Sequence, residues 1–495
     1  MKIIKRIALT VLASAISIVS LSSCLKSEIN EAMNDAEVYI STDETLDLCI
    51  YNIDTLNPLK TSVKQNAEVL SLLYDSLFIV SSDFTAIPSL CESFAVSKDG
   101  LVCSAKIKNG VYFQNGKNLT SSDVVYSLNT ILDSDGYYKK RLQMVKSAKV
   151  YGNFVKFYLS HPTANFNTLL DFPIIPENCD VKDDEFLTSV IPGSGIYKVC
   201  EYIKNKHIAL CVNDEHHSGT MPLIEKINIH IAKDKKTALS MLENSQLDIL
   251  SADDSYIPKR ELSFVDYNSL KFLYLGMNTN ESPINSAKIR SEIFSKLDAP
   301  YIIKKAGVNG KIAKVPLHPE SHLNSDISFR GSSNALSELK DSDNNGILEK
   351  IVGKTKHELS YDLIVSKENP SKTYIAALIK ETLLTQGIKI RVRELSFEEY
   401  KSRISAGKYD MFLAETTLLP NFDFNDLLSI SHNSNNKTFD DSKDFSKLLS
   451  EYQKDASVLG LCFKNDTLLV DKKITFDKIT TLNPYLSIPD LNTIS

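Results

Sequence analysis

With 495 residues, 43% of them hydrophobic, the chain can bury large cores, and its length suits two to four lobes or domains. The formal net charge of −6 removes nucleic acid from the expected partners, since phosphate binding is driven by basic surface. Tryptophan is absent altogether.

The first residues read as an address. Lys2, Lys5 and Arg6 form a basic start, residues 7–21 are apolar and small, and Leu21-Ser22-Ser23-Cys24 follows directly. That tetrapeptide resembles a bacterial lipobox, which implies a lipoprotein signal peptide over 1–23, a diacylglycerol on the sulfur of Cys24 and acylation of its amine. A plain secretory leader with a chance cysteine, or an uncleaved anchor helix, are the alternatives. No later stretch approaches the roughly 18 apolar residues of a membrane span. The body would then be held to the membrane by lipid alone, for which two or more acyl chains suffice. Residues 27–45 are polar, acidic and poor in aromatics, so 24–45 reads as a flexible tether.

Folding is expected to start at Leu46. Leu46-Asp47-Leu48-Cys49-Ile50-Tyr51 alternates as a half-buried strand does, and Asp54-Thr55-Leu56-Asn57-Pro58-Leu59 is a turn that ends it. A helix is predicted over 69–78, leading into Tyr74-Asp75-Ser76-Leu77-Phe78. Then comes Pro88-Ser89-Leu90-Cys91-Glu92-Ser93-Phe94, an Asp99-Gly100 hairpin signal, and Lys106-Ile107-Lys108-Asn109-Gly110-Val111-Tyr112-Phe113-Gln114-Asn115-Gly116-Lys117. A helix follows, with hydroxyls at Thr120, Ser121 and Ser122 for its cap, Asp123 in its first turn and Val124, Val125 and Leu128 on its apolar face. The order of these turns resembles the signature of the extracytoplasmic solute-binding proteins of family 5, the oligopeptide, dipeptide and nickel class. That pattern runs roughly P-x-L-A-E-S-[WF], D-G, L-R-x-G-V-x-F-x-[DN]-G-x-x-[LF]-T-x-x-D-V.

The resemblance continues along the chain, over about 46–485. Residues 149–159 alternate as a strand and 166–175 suggest a packed helix and exit. Pro192-Gly193-Ser194-Gly195-Ile196-Tyr197 resembles the family's glycine turn, with Ile196 where Pro is usual. A glycine pair cradles phosphate only when it opens a helix, and here a strand follows, so a nucleotide site is discarded. Residues 196–203 and 207–212 form a hairpin across Lys204-Asn205-Lys206; 222–229 is a strand, and 235–244 a helix with Ser245 where the family has Gly. His216 and His217 sit among turn residues and are expected to face solvent rather than to bind metal. From Leu273 onward, Asn278 and 288–293 keep part of the family's pattern, but its Asp and first Arg are missing. Residues 334–354 are weakly patterned. Residues 358–413 read β-α-β-α-β, which calls for a mostly parallel sheet with helical crossovers.

No G-x-S-x-G, H-E-x-x-H or P-loop is present, the nine histidines do not fall at ligand spacing, and no cofactor is called for. A hydrolase would need a nucleophile and a base converging in a cleft. Asp253 with Asp254, and Asp183 with Asp184, read as solvated loop charge. The seven cysteines beyond Cys24 are odd in number, which excludes a full disulfide framework. Cys200 and Cys211 can face each other if their hairpin loop has four residues, but buried free thiols are the favoured expectation.

The resemblance implies an α/β, two-lobed periplasmic-binding-protein-like fold of the large three-subdomain kind (class II), with a hinge and a discontinuous first lobe. Its base would comprise 46–75, 189–272 and 476–495, its extra subdomain 76–188, and the second lobe 273–475. It further implies a monomeric binding protein, not an enzyme, anchored outside the cytoplasm, that captures a small ligand, foremost a peptide, and delivers it to the permease and ATPase of an ABC importer. A binder of a nickel or other metal chelate, or a degenerate fold acting as a surface sensor or adhesin, remains open. The candidate ligand-binding residues are Tyr51, Asp54 and Asn57 from the first loop, and Thr416, Thr417 and Asp423 from the segment where the family places a Trp and an amine-binding acid. Glu415 is a further candidate anion. For the first loop, a purely structural Asx-turn is an equal alternative.

Overall fold

A computed structural model describes residues 45–177, 179, 190–252, 256–280, 284–323, 336, 339–352, 354–425, 427, 445–476 and 478–493. The expected leader, Cys24, the tether up to residue 44 and the carboxylate pairs Asp183/Asp184 and Asp253/Asp254 lie outside the described residues. The fold is α/β.

The chain begins with β1 (Thr45–Tyr51), α1 (Lys64–Leu70), the hairpin of β2 (Phe78–Val80) and β3 (Ala86–Pro88), and then β4 (Cys91–Val96), β5 (Val102–Ile107), α2 (Ser121–Leu132), β6 (Val145–Tyr151) and β7 (Phe154–Leu159). Strands β4-β5-β7-β6 make an antiparallel sheet. Its cap chemistry is as the sequence suggests. The Thr120 N–H donates to Asp123 Oδ2 at 2.6 Å, and Asp123 Oδ1 accepts the Glu177 N–H at 2.6 Å, so one acid both caps α2 and pins the returning chain. Residues 149–159, expected as one strand, are parts of two, because Gly152 at φ +62° reverses the chain between β6 and β7.

A second sheet adds β8 (Tyr197–Ile203), β9 (His207–Val212) and β10 (Lys226–Ala232) to β1 in the order β1-β10-β9-β8. Here the favoured free thiols are corrected for one pair. Val199 pairs with Leu210 and Glu201 with Ala209, so Cys200 is the extra residue of a bulge, and the bulge rather than a longer loop lets it form a disulfide with Cys211 across a Cα separation of 5.9 Å. Cys49, Cys91, Cys103 and Cys462 are buried free thiols.

The helix expected over 69–78 is shifted. α1 ends at Leu70, a 3₁₀ turn covers Ser71–Leu73, and Tyr74 is extended. The cause is the glycine turn, which lies directly on this helix end. The Gly195 N–H donates to the Leu73 carbonyl at 3.0 Å, and a Cβ on Gly193 would stand 1.7 Å from that same oxygen. His216 and His217 are also corrected: they turn inward onto Asp75, with 8% and 13% of their side chains exposed. A carboxylate taken out of water needs polar partners, and the turn after β9 supplies them.

The third sheet follows α3 (Lys235–Glu243). Its strands are β11 (Ile249–Ala252), β12 (Ser263–Met277), β13 (Gly310–Ile312), β16 (Ser360–Ser366), β17 (Lys389–Leu395), β18 (Met411–Thr417) and β19 (Val458–Val470), in the order β11-β19-β12-β18-β16-β17 with β13 on β19. Between them come α4 (Ala287–Ser295), α5 (Ala299–Lys305), the hairpin β14 (Glu349–Val352) and β15 (Thr355–Glu358), α6 (Pro370–Leu384), α7 (Phe397–Ser405) and α8 (Phe445–Asp455), with the short pair β20 (Ile474–Thr475) and β21 (Asn492–Thr493) closing the chain. β16 lies parallel to both β17 and β18, as the β-α-β-α-β pattern requires, but β12 runs antiparallel to β18 and β19, so the sheet as a whole is mixed. α6 packs Ile375, Leu378, Ile379 and Leu383 into the core on one face, while Tyr400 of α7 joins the core on the other. The two crossovers, from β16 to β17 and from β17 back past β16 to β18, therefore run over opposite faces of the sheet. Among the described residues no helix is long and apolar enough to cross a membrane.

Candidate functional site

The carboxyl end of β18 carries Glu415, Thr416 and Thr417 to the edge of a cavity of about 540 Å³. The opposite wall comes from the first part of the chain, with Lys64 and Glu68 of α1, Tyr137 and Tyr138 just before the 3₁₀ turn Lys139–Leu142, Lys140 and Arg141 within it, and Asp171. β12 and β19 contribute Lys271 and Asp466. An adjoining cavity of about 230 Å³ is lined by Thr416, Thr417 and Asp423, among others.

Several paired charges stand in the otherwise largely apolar lining of the larger cavity. Lys64 Nζ lies 3.0 Å from Glu68 Oε1 and 3.2 Å from Asp466 Oδ2, and Lys271 Nζ lies 2.5 Å from Asp466 Oδ1. Burial alone would raise the Asp466 carboxyl, but the two ammonium groups beside it hold it below the usual carboxylate range. Glu68 is pushed up by burial, with the charge of Asp466 adding to it, against the opposing pull of Lys64 and Arg141. Burial works against the charge on Lys64, yet Glu68, the nearby tyrosines and Asp466 keep its pKa above the ordinary value. On the other wall one guanidinium nitrogen of Arg141 donates to both oxygens of Asp171, at 2.6 and 2.7 Å, with the ring centroids of Tyr137 and Tyr138 each 5.0 Å from the guanidinium carbon. Glu415 has Lys464 at 3.6 Å. Among the described residues no histidine lines the larger cavity.

The structure divides the sequence-derived candidates. Thr416 and Thr417 line both cavities, and Asp423 only the smaller one, where its Oδ1 accepts the Asn425 N–H at 3.0 Å. Tyr51, Asp54 and Asn57 line neither. The backbone of Tyr51 is clasped by Asn66 of α1, which accepts at 3.1 Å and donates at 2.8 Å. Asp54 accepts from the Thr61 hydroxyl at 2.7 Å and from the N–H and hydroxyl of Ser62 at 2.7 and 2.8 Å. Burial would raise its carboxyl, but these donors bring it below the usual range. Asn57 Oδ1 accepts the Leu59 N–H at 3.0 Å. These are the bonds of an Asx-type loop closed on itself.

Sequence reasoning missed Lys64, Glu68, Arg141, Asp171, Lys271 and Asp466. A signal for two of them was present: Lys271 stands in Leu270-Lys271-Phe272-Leu273 and Asp171 in Leu169-Leu170-Asp171-Phe172. A single charge inside an apolar run marks a group carried into the interior, where it must find a partner.

The family described as bacterial extracellular solute-binding proteins, family 5 Middle, matches residues 85–438. The oligopeptide-binding protein AppA of Bacillus subtilis (strain 168) is 26% identical over 381 residues, which are 72% of this chain and 69% of that protein. Among solved structures, the periplasmic murein tripeptide-binding protein MppA in its unliganded open form gives a TM-score of 0.71 at 15% identity, over 90% of this chain and 96% of that one. NikZ from Campylobacter jejuni in complex with Ni(L-His) gives 0.58 at 17% identity, over 91% and 99%. At these identities the two structures share the fold.

Proposed function

The chain belongs to the bacterial extracellular solute-binding proteins of family 5, which bind and do not catalyse, and from that premise we propose that it captures a small peptide in the larger cavity and hands it to an ABC importer. The supporting observation is the cavity itself. Its 540 Å³ fall within the range of small-ligand sites, and its walls present both signs of charge from separate parts of the chain. A peptide carries an amine and a carboxylate and so suits such walls. Glu415, with Lys464 no nearer than 3.6 Å, is the acid we assign to the amine. Lys140 and Arg141 stand on the far wall for the carboxylate. A metal chelate has less support, because no histidine stands among the described residues that line the larger cavity.

Binding would draw the two walls together about crossings near Tyr197 and Leu273, burying the guest from water. Two lobes, the first discontinuous, and a monomer that docks on a permease follow from the same reading. So does lipid anchoring at Cys24, supported by Leu21-Ser22-Ser23 before it. Native mass spectrometry of the protein from its host tests all of this. A diacylated Cys24 and a retained peptide are the expected result, whereas an unmodified thiol or a retained chelate would reject the corresponding part. In calorimetry with short peptides, Glu415→Gln is expected to weaken binding about tenfold, a loss near 1.4 kcal/mol, and N-acetylated peptides should not feel the change.

A further inference from the structure

Outside the linings of both cavities, the loop before β2 and the turn after β9 bring three side chains to one point. His216 Nε2 lies 3.2 Å from Asp75 Oδ1, and His217 Nε2 lies 3.3 Å from Asp75 Oδ2. One donor atom from each of the three residues falls within 4.8 Å of the other two. The carboxylate is 11% exposed, and the two rings pack with centroids 4.4 Å apart.

The two contacts differ in kind. His216 meets Asp75 with the geometry of a hydrogen bond. His217 does not: its Nε2 and Asp75 Oδ2 are both buried without a hydrogen-bond partner, although only 3.3 Å separates them. Buried polar atoms are rarely left so, and a cation between them would satisfy both at once. Donors held at about 2.0–2.1 Å around a tetrahedral ion lie roughly 3.3–3.4 Å from each other. The two histidine–carboxylate separations, 3.2 and 3.3 Å, are close to that, and the donor atoms of the cluster all fall within 4.8 Å of one another. His216 Nδ1 also lies 2.8 Å from Ser218 Oγ. A proton donated there leaves the Nε2 lone pair for a metal, and such an outer partner is what metal-bound histidines commonly have.

We propose that Asp75, His216 and His217 form a binding site for a divalent first-row transition ion of the Zn²⁺ type, with a fourth position open to water. Two imidazoles and one carboxylate suit Zn²⁺, Co²⁺ or Ni²⁺, whereas Ca²⁺ and Mg²⁺ favour oxygen donors throughout. The ion fastens the segment after α1 to the sheet that contains β9. This site is distinct from the peptide cavity, since none of its three residues lines it, although Ser76 beside Asp75 does.

The test is a titration of the purified full chain with Co²⁺ and then Zn²⁺. One equivalent of Co²⁺ should give the visible absorption of a tetrahedral ion, bleached by one equivalent of Zn²⁺. His216→Ala and His217→Ala should each lower Zn²⁺ affinity at least about 100-fold, and Ser218→Ala roughly 10-fold, as loss of an outer partner does. Circular dichroism checks that the variants are folded. A cluster held only by hydrogen bonds gives no cobalt band. The proposal is overturned by the absence of a one-equivalent site tighter than ~10 μM, or by unchanged affinity in both histidine variants.

Discussion

His318 shows how burial decides the behaviour of a single group. Its ring lies between Phe84 and Phe463, with centroids 4.8 and 5.0 Å away, and it is fully buried. Burial, aided by the charge of Lys311, pushes its pKa from 6.5 down to about 3. The folded protein therefore binds this proton less readily than the unfolded chain does. Its contribution is fully present above the unfolded value of 6.5 and is lost as the pH falls from there toward 3. In His318→Phe, the stability lost between neutral pH and about pH 4 should shrink by ~2 kcal/mol, measured by urea unfolding across that range. An equal loss in both proteins would refute it. Ser245 is a second case. It follows α3 at φ +58°, a conformation in which a side chain is strained and glycine is not. Ser245→Gly should raise stability by about 1 kcal/mol, seen as a higher melting temperature. That position was legible, since Ser245 stands where the family has Gly after this helix. The neutral state of His318 was not, because nothing near it in sequence reports the two phenylalanines.

Among elements, the contact of the glycine turn with the end of α1 is the most exacting. A Cβ on Gly193 meets the Leu73 oxygen at 1.7 Å, and one on Gly195 meets the Leu73 carbonyl carbon at 2.6 Å, both backbone atoms that cannot step aside. Gly193→Ala should cost about 3 kcal/mol. Gly116→Ala, at φ +78° in open space, should cost only about 1. Thermal melts of the two variants compare them directly, and equal losses would remove the packing argument. The glycines were visible as a motif, and the strand expected after them is β8. What they pack against was not visible, and for that reason the helix expected over 69–78 was placed too late. The hairpin of β6 and β7 was hidden similarly: alternation runs through residues 149–159 and masks the reversal at Gly152. The bulge at Cys200 is a tertiary adjustment of two residues that alternation alone would place out of reach.

For the molecule as a whole, the cavity is bounded by α1, the 3₁₀ turn around Arg141 and Asp171 on one side and by the carboxyl end of β18 on the other. If peptide binding closes these walls, a saturating peptide should lower the radius of gyration in small-angle scattering and give a negative heat-capacity change in calorimetry. Binding with an unchanged scattering profile would sink the closure mechanism while leaving the site intact. What the amino-acid sequence determined by itself is everything governed over a few neighbouring residues: the turns at Gly100, Gly110 and Gly116, the cap of α2, the parallel crossovers around β16, and through their order the family. Backbone sterics and hydrophobic alternation act locally, so they can be read locally. Only the tertiary structure decided which charges face the cavity, since Lys64, Arg141, Asp171, Lys271 and Asp466 come from distant segments. It likewise turned His216 and His217 inward onto Asp75. A buried charge takes the partner that the fold brings to it, and that partner is set by packing across the whole chain rather than by spacing along it.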